Sequence, residues 1–152
     1  APEQIIEINL AVDDWLTSVA AKLKRGFVVT VDYGAEASEL YDPLLRPNGT
    51  LRAFSRHEFV DDVLCAPGNY DITSSVNWTQ VKATGERLGF RVVDFASQDK
   101  FLLSVGLLDA LEVRLGRNKN AADKVNLTTG AKEMILPGGM ASSFQVLVQK
   151  HV

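Results

Sequence analysis

Gly26-Phe27-Val28-Val29-Thr30-Val31-Asp32-Tyr33-Gly34 decides the architecture. Phe27 to Val31 is β-branched and continuous rather than alternating, the pattern of a strand covered on both faces. The run closes on a carboxylate, a phenol and a glycine, which mark the strand's carboxyl end. Upstream, Val12, Trp15, Leu16, Val19, Ala20 and Leu23 recur at the spacing of one helical face, with Asn9 placed to cap the helix and Gly26 to stop it. A helix feeding through one glycine turn into a buried strand is the repeating unit of a parallel α/β sheet.

Downstream, residues 35–70 read as irregular, punctuated by Pro43, Pro47, Gly49, Pro67 and Gly68, with a short apolar piece at Leu51 to Phe54. A long insert of this kind within a compact fold is commonly a lid or a binding loop. Asn77-Trp78-Thr79-Gln80 has capping-box spacing and opens a helix through Trp78, Val81, Gly85 and Leu88, which Gly89 ends. Phe90 to Phe95 follows as a second strand. Helical patterns cover Phe101 to Val105 and Leu107 to Leu115, and Asn118 to Gly130 is polar and weakly helical. The last element, Phe144 to Gln149, places Phe144, Val146 and Val148 on one face and two glutamines on the other, so one face is expected to be less buried. The non-helical connection from Met134 to Met140 favours an antiparallel placement of this strand.

The chain has 152 residues, 46% hydrophobic and 23% charged, enough for one ordinary core without disulfides or metals. A net charge of -3 without any block of like charges argues against a nucleic-acid partner. Cys65 is the only cysteine, which fits a reducing compartment, a bacterial cytoplasm or a mitochondrial matrix, and a structural thiol. No secretion signal and no membrane span are expected.

Ligands of open α/β sheets sit outside the carboxyl ends of the strands, which makes Asp32, Tyr33 and Gly34 the first site candidates. Asp32 either orients a cationic group or caps a turn. Gly34 either admits another backbone or supplies a positive φ. His57, in Ser55-Arg56-His57-Glu58, is a candidate for proton transfer, though a lone histidine is more often a hydrogen-bonding surface residue. Asp71 to Ser75 either caps the following helix or, with Asp71 and Thr73, faces a ligand. Ser97-Gln98-Asp99 carries the same two readings. His57, His151 and Cys65 make no metal site, and no glycine-rich phosphate cradle is present.

Taken in order, Glu7-Ile8-Asn9, the Trp15-Leu16 helix, Val31-Asp32-Tyr33-Gly34, Gly49-Thr50-Leu51, His57, Pro67-Gly68, Asp71-Ile72-Thr73, Gln98, Phe101-Leu102, Gly106 and Phe144 to Leu147 resemble the MidA-like methyltransferases over nearly the whole chain. Two departures stand out: Ser75 where the family usually has a histidine, and Met140-Ala141 where it has Met-Gly. The resemblance implies the carboxyl-terminal half of a class I, Rossmann-like methyltransferase sheet with its last strand antiparallel, a long loop insert and a helical insert. It implies S-adenosylmethionine as cofactor of the complete protein, with the cofactor-binding segment lying before residue 1. It implies methylation of a protein arginine in respiratory complex I assembly, with Asp32, Asp71 and His57 as catalytic candidates. Tyr33, Gly34, Thr73 and Gln98 would lie on the substrate side. The Phe27 to Val31 strand would then border an absent strand, so the expected partners are the amino-terminal half, or a second copy through the same edge, and a protein substrate. The rival reading is a non-catalytic assembly or protein-binding module on this fold.

Overall fold

The computed structural model describes residues 3–56, 58–60, 62–64, 66, 68–136 and 143–152. The expectations placed on His57, Cys65, Pro67 and Met140-Ala141 lie outside the described residues.

In chain order the elements are α1 (Val12–Lys22), β1 (Gly26–Ala35), α2 (Ala37–Leu40), β2 (Arg52–Ser55), β3 (Glu58–Val60), β4 (Asp71–Thr73), β5 (Val76–Asn77), α3 (Trp78–Arg87), β6 (Phe90–Ser97), α4 (Gln98–Ser104), α5 (Leu107–Arg117), α6 (Ala121–Ile135) and β7 (Phe144–His151). They form two compact units, Ala1–Lys24 with Gly34–Phe90, and Arg25–Tyr33 with Arg91–Val152. Strand β1 belongs to the second unit through Tyr33 and to the first from Gly34.

In the first unit α1 packs on α3, burying Leu16, Trp78 and Val81. Asp13 of α1 accepts from the Thr84 hydroxyl at 2.6 Å and from Arg87 at 3.0 Å, and the Thr84 bond holds its carboxyl below the ordinary range. Asn9 does not cap α1. That position falls to Ala11, and Asn9 instead accepts from the Ala11 N–H in a turn before the helix. The helix ends at Lys22, ahead of Gly26. Asn77 caps α3 as its spacing predicts, taking the Gln80 N–H at 3.1 Å, while the Gln80 side chain donates to the Asn9 carbonyl instead of closing the box. Gly89, at φ 88°, adopts the left-handed conformation that ends this helix.

The segment expected to be irregular contains β2 and β3, which with β4 just beyond it form a three-stranded antiparallel sheet in the order β3-β2-β4. Strands of three or four residues carry too few positions for an alternating pattern to stand out in the sequence. The β2–β3 hairpin turns through Arg56, whose φ of 50° is the described non-glycine residue in the left-handed region.

In the second unit the strand order is β1-β7-β6, with β7 antiparallel to β1 and paired from Gly26↔His151 to Tyr33↔Phe144. The last strand is therefore inserted antiparallel beside β1, the mixed α/β arrangement expected of a methyltransferase sheet. Helices α4, α5 and α6 pack on one another and α4 packs on β7.

Two burial expectations are corrected. Phe27, Val29 and Val31 are 57%, 54% and 47% exposed, so β1 is not covered on both faces. Over Phe27 to Asp32 it pairs with β7 alone among the described strands, because β5 joins it only at Gly34 and Ala35. Conversely, β7 is the central strand. Val146 and Leu147 are buried, and Gln149, read as part of the wetter face, is 0% exposed with no partner for its amide among the described residues. A central strand is flanked on both edges, and that position outweighs the polarity of one side chain.

Candidate functional site

At the carboxyl end of β1 the Asp32 carboxylate is half-buried and accepts the Tyr33 N–H at 2.8 Å. The Tyr33 ring meets Phe144 edge-on, with centroids 5.5 Å apart and planes at 74°. Cross-strand pairing of Asp32 with Gln145 and of Tyr33 with Phe144 fixes both residues on rigid backbone. The Asp32 contact is local, so the turn reading and the ligand-orienting reading both remain compatible with it.

Gly34 settles one alternative. It is absent from the positive-φ glycines, and a Cβ built on it would lie 2.2 Å from the Val76 carbonyl oxygen and 2.7 Å from the Trp78 indole nitrogen. Glycine is needed here for close approach, against β5 and the start of α3. Two residues on, Glu36 sits at the N-cap position of α2. Its carboxylate accepts from the Thr79 hydroxyl and pairs with Lys82, and these bonds, Lys82 foremost, hold it below its ordinary value. Thr79 also accepts from the Ala37 N–H at 3.0 Å, so the chain leaving β1 is tied to α3.

Asp71 and Thr73 do not cap a helix. Both belong to β4, where Asp71 pairs with Phe54 and Thr73 with Arg52. Alternation puts Asp71, Thr73, Phe54 and Arg52 on one face of the small sheet, and Phe59, opposite Phe54, joins them there. Ser75 donates its N–H to the Thr50 hydroxyl at 3.0 Å.

Sequence reasoning missed what holds this region in place. The Glu7 carboxylate accepts from the Thr50 N–H at 2.9 Å, the Thr50 hydroxyl at 3.0 Å and the Leu51 N–H at 3.0 Å. Gly49, at φ 70°, leaves no room for a Cβ beside that carboxylate. Glu7 and Gly49-Thr50-Leu51 each stand in the segments that carry the family resemblance. That signal was visible, but a contact across 43 positions is not readable from either segment alone.

Gln98 opens α4 at the carboxyl end of β6 and is half-buried. Ser97 precedes it at the N-cap position without a side-chain cap bond, and the Ser97 hydroxyl lowers the Asp99 carboxyl by hydrogen bonding to it. The structure thus gathers Asp71 and Thr73 on one surface, keeps Asp32 and Tyr33 on β1, and sets Gln98 at the end of another strand. A cavity of about 700 Å³ between α5 and α6, lined by Arg114, Arg117, Lys119 and Asp123 among others, contains none of these residues. Among the described residues no group of three or more His, Cys, Asp or Glu is placed to hold a metal, and no helix is long and apolar enough to cross a membrane.

Comparison with known proteins gives two kinds of match. Residues 1–96 match the family described as "Putative S-adenosyl-L-methionine-dependent methyltransferase". Two crystal structures from Burkholderia thailandensis superpose on the chain. One, a native structure of a superfamily protein, has 27% identity and a TM-score of 0.84 over 97% of this chain. The other, a member of the same superfamily bound to S-adenosyl-homocysteine, has 26% identity and a TM-score of 0.85 over 98% of this chain. The chain spans 39% and 38% of the lengths of those two proteins. No curated protein matches.

Proposed function

This chain belongs to the family described as "Putative S-adenosyl-L-methionine-dependent methyltransferase", and we propose that it forms the acceptor-side, carboxyl-terminal part of a methyl-transfer site. A further segment of a longer polypeptide would complete that site and bind the cofactor. The observation that carries this reading is the superposition of 98% of the chain on a protein bound to S-adenosyl-homocysteine, the product left after a methyl group departs.

S-adenosyl-L-methionine brings a methyl group already activated on a sulfonium, so the protein's remaining task is to align the acceptor and receive its proton. For a guanidinium acceptor, an arginine of a protein substrate, a carboxylate does both: it holds the planar cation and takes the proton as the nitrogen lone pair bonds to the methyl carbon. Asp32 and Asp71, one on each unit, are the carboxylates we assign as candidates for this work, with Tyr33 next to Asp32 in the chain, Thr73 on the same strand as Asp71, and Gln98 and His57 as further candidates. The residues here that border the cofactor would be those at the carboxyl end of β1, where this fold class places ligands. The family resemblance makes a respiratory complex I subunit, or its bacterial counterpart, the acceptor we would test first.

Ser75 favours a second reading. It stands where the resembled family usually carries a histidine, and its N–H serves the Thr50 hydroxyl within the fold. A protein-binding role without catalysis would tolerate that exchange. Transfer of a labelled methyl group from S-adenosyl-L-methionine to arginine-containing protein by the full-length polypeptide separates the two. Incorporation that falls in the Asp32→Ala variant supports the enzyme. Cofactor binding without incorporation into any acceptor supports the assembly module.

A further inference from the structure

The small sheet of the first unit carries an arrangement that its packing does not explain. The registers Asp71↔Phe54 and Phe54↔Phe59 set a carboxylate and two phenyl rings in one row across β4, β2 and β3, on a single face. Neighbouring strands lie about 4.8 Å apart, so the row spans about 10 Å, the scale of one long side chain and its flanking backbone. The rings meet edge to face, with centroids 6.0 Å apart and planes at 79°. Phe59 is 60% exposed and Phe54 half-buried, so part of the ring surface is open to solvent. Asp71 is exposed, and its carboxylate has no hydrogen bond or ion pair to a described residue. The opposite face, with Ala53, Val60 and Ile72, is where the sheet buries its small apolar residue, Ala53.

We propose that this row, Asp71-Phe54-Phe59, is the subsite for the cationic side chain of the acceptor, a guanidinium that lies on a phenyl face while the carboxylate takes its N–H groups. This deepens the methyltransferase reading and rests on it for the word acceptor, but the recognition chemistry stands by itself. A phenyl face is negative and attracts a cation, and a planar guanidinium both stacks on a ring and presents a fork of donors to a carboxylate. An ammonium matches only half of that pattern. Arg52 lies two residues along the same face, opposite Thr73, and is itself engaged within the fold, so it bounds the row on one side. Phe54 and Phe59 are specificity-determining residues on this account and Asp71 the charge-matching one.

The test uses the full-length protein with phenylalanine rings isotopically labelled, titrated with N-acetyl-arginine amide, N-acetyl-lysine amide and the neutral isostere N-acetyl-citrulline amide. The expected result is a saturable shift of the Phe54 and Phe59 ring signals with the arginine probe, weaker with lysine and absent with citrulline. Asp71→Asn and Phe59→Leu should each weaken the arginine response about twofold to fivefold, with the remaining spectrum unchanged as evidence of folding. Ring signals that do not move, that move equally with citrulline, or that ignore both substitutions would overturn the proposal. Titration of the same sample with S-adenosyl-homocysteine reads the methyltransferase assignment separately. Its failure alongside a retained arginine response would sink that assignment and leave the cation subsite standing.

Discussion

Gly34 and Glu7 show how single residues fix the loops around the candidate site. A methyl group at position 34 has nowhere to go, since backbone and an indole ring stand closer than any real Cβ contact allows. Gly34→Ala should therefore cost about 1–3 kcal/mol in denaturant unfolding, and an unchanged midpoint would contradict the close-approach account. Glu7→Ala leaves the Thr50 and Leu51 donors without their charged acceptor, a loss of about 1.5–3 kcal/mol, and should speed hydrogen exchange at those two amides first. Glu36 adds a pH dependence of defined sign. Lys82 and Thr79 lower its carboxyl from 4.5, so its contribution is complete above that value and is lost as pH falls through the lower folded value. The acid limb of the stability curve should flatten slightly in Glu36→Gln, the effect staying small because the pair is partly solvated. Asp32→Ala should reduce methyl transfer more than it lowers the melting temperature. The reverse order would make Asp32 a turn residue.

Among the elements, β1 has the clearest consequence. Residues of an antiparallel strand point their backbone groups alternately to its two sides, and from Phe27 to Asp32 only one side meets a described strand, β7. In the 152-residue chain by itself, exchange protection over Val28 to Val31 should alternate, unless a second copy covers the open edge and light scattering reports association. A monodisperse monomer with every one of these amides protected would mean that the strand is paired internally. The sequence made α1, β1, α3, β6, α4, α5 and β7 legible because each spans seven or more residues and carries either an apolar pattern or, in β1, a continuous β-branched run. It hid β2, β3 and β4, which are too short to show one, and it understated α6, whose 15 residues lack a clear apolar stripe. Continuous β-branching in β1 signalled burial that the described residues of this chain do not supply. Asp32, Tyr33, Gly34 and Gln98 are legible as candidates from their place at strand ends, whereas Asp71 and Thr73 read as a helix start and His57 as part of an irregular segment. The Glu7 latch and the Asp71-Phe54-Phe59 row were out of reach because both depend on strand register and long-range contact.

The whole molecule combines a β1-β7-β6 order with β7 antiparallel to β1, a family match over residues 1–96, and a span of under two fifths of its structural relatives. Phe27, Val29 and Val31 present exposed apolar surface, which on the proposed reading a further polypeptide segment covers. On this view cofactor affinity is a property of the longer polypeptide and not of these 152 residues, which contain no glycine-rich cradle. Titration calorimetry with S-adenosyl-homocysteine, run in parallel on the 152-residue chain and on the full-length polypeptide, tests this most directly. The account predicts saturable micromolar binding by the full-length polypeptide and none of that strength by the chain alone. Tight binding by the isolated chain, or no binding by the full-length polypeptide, would contradict it.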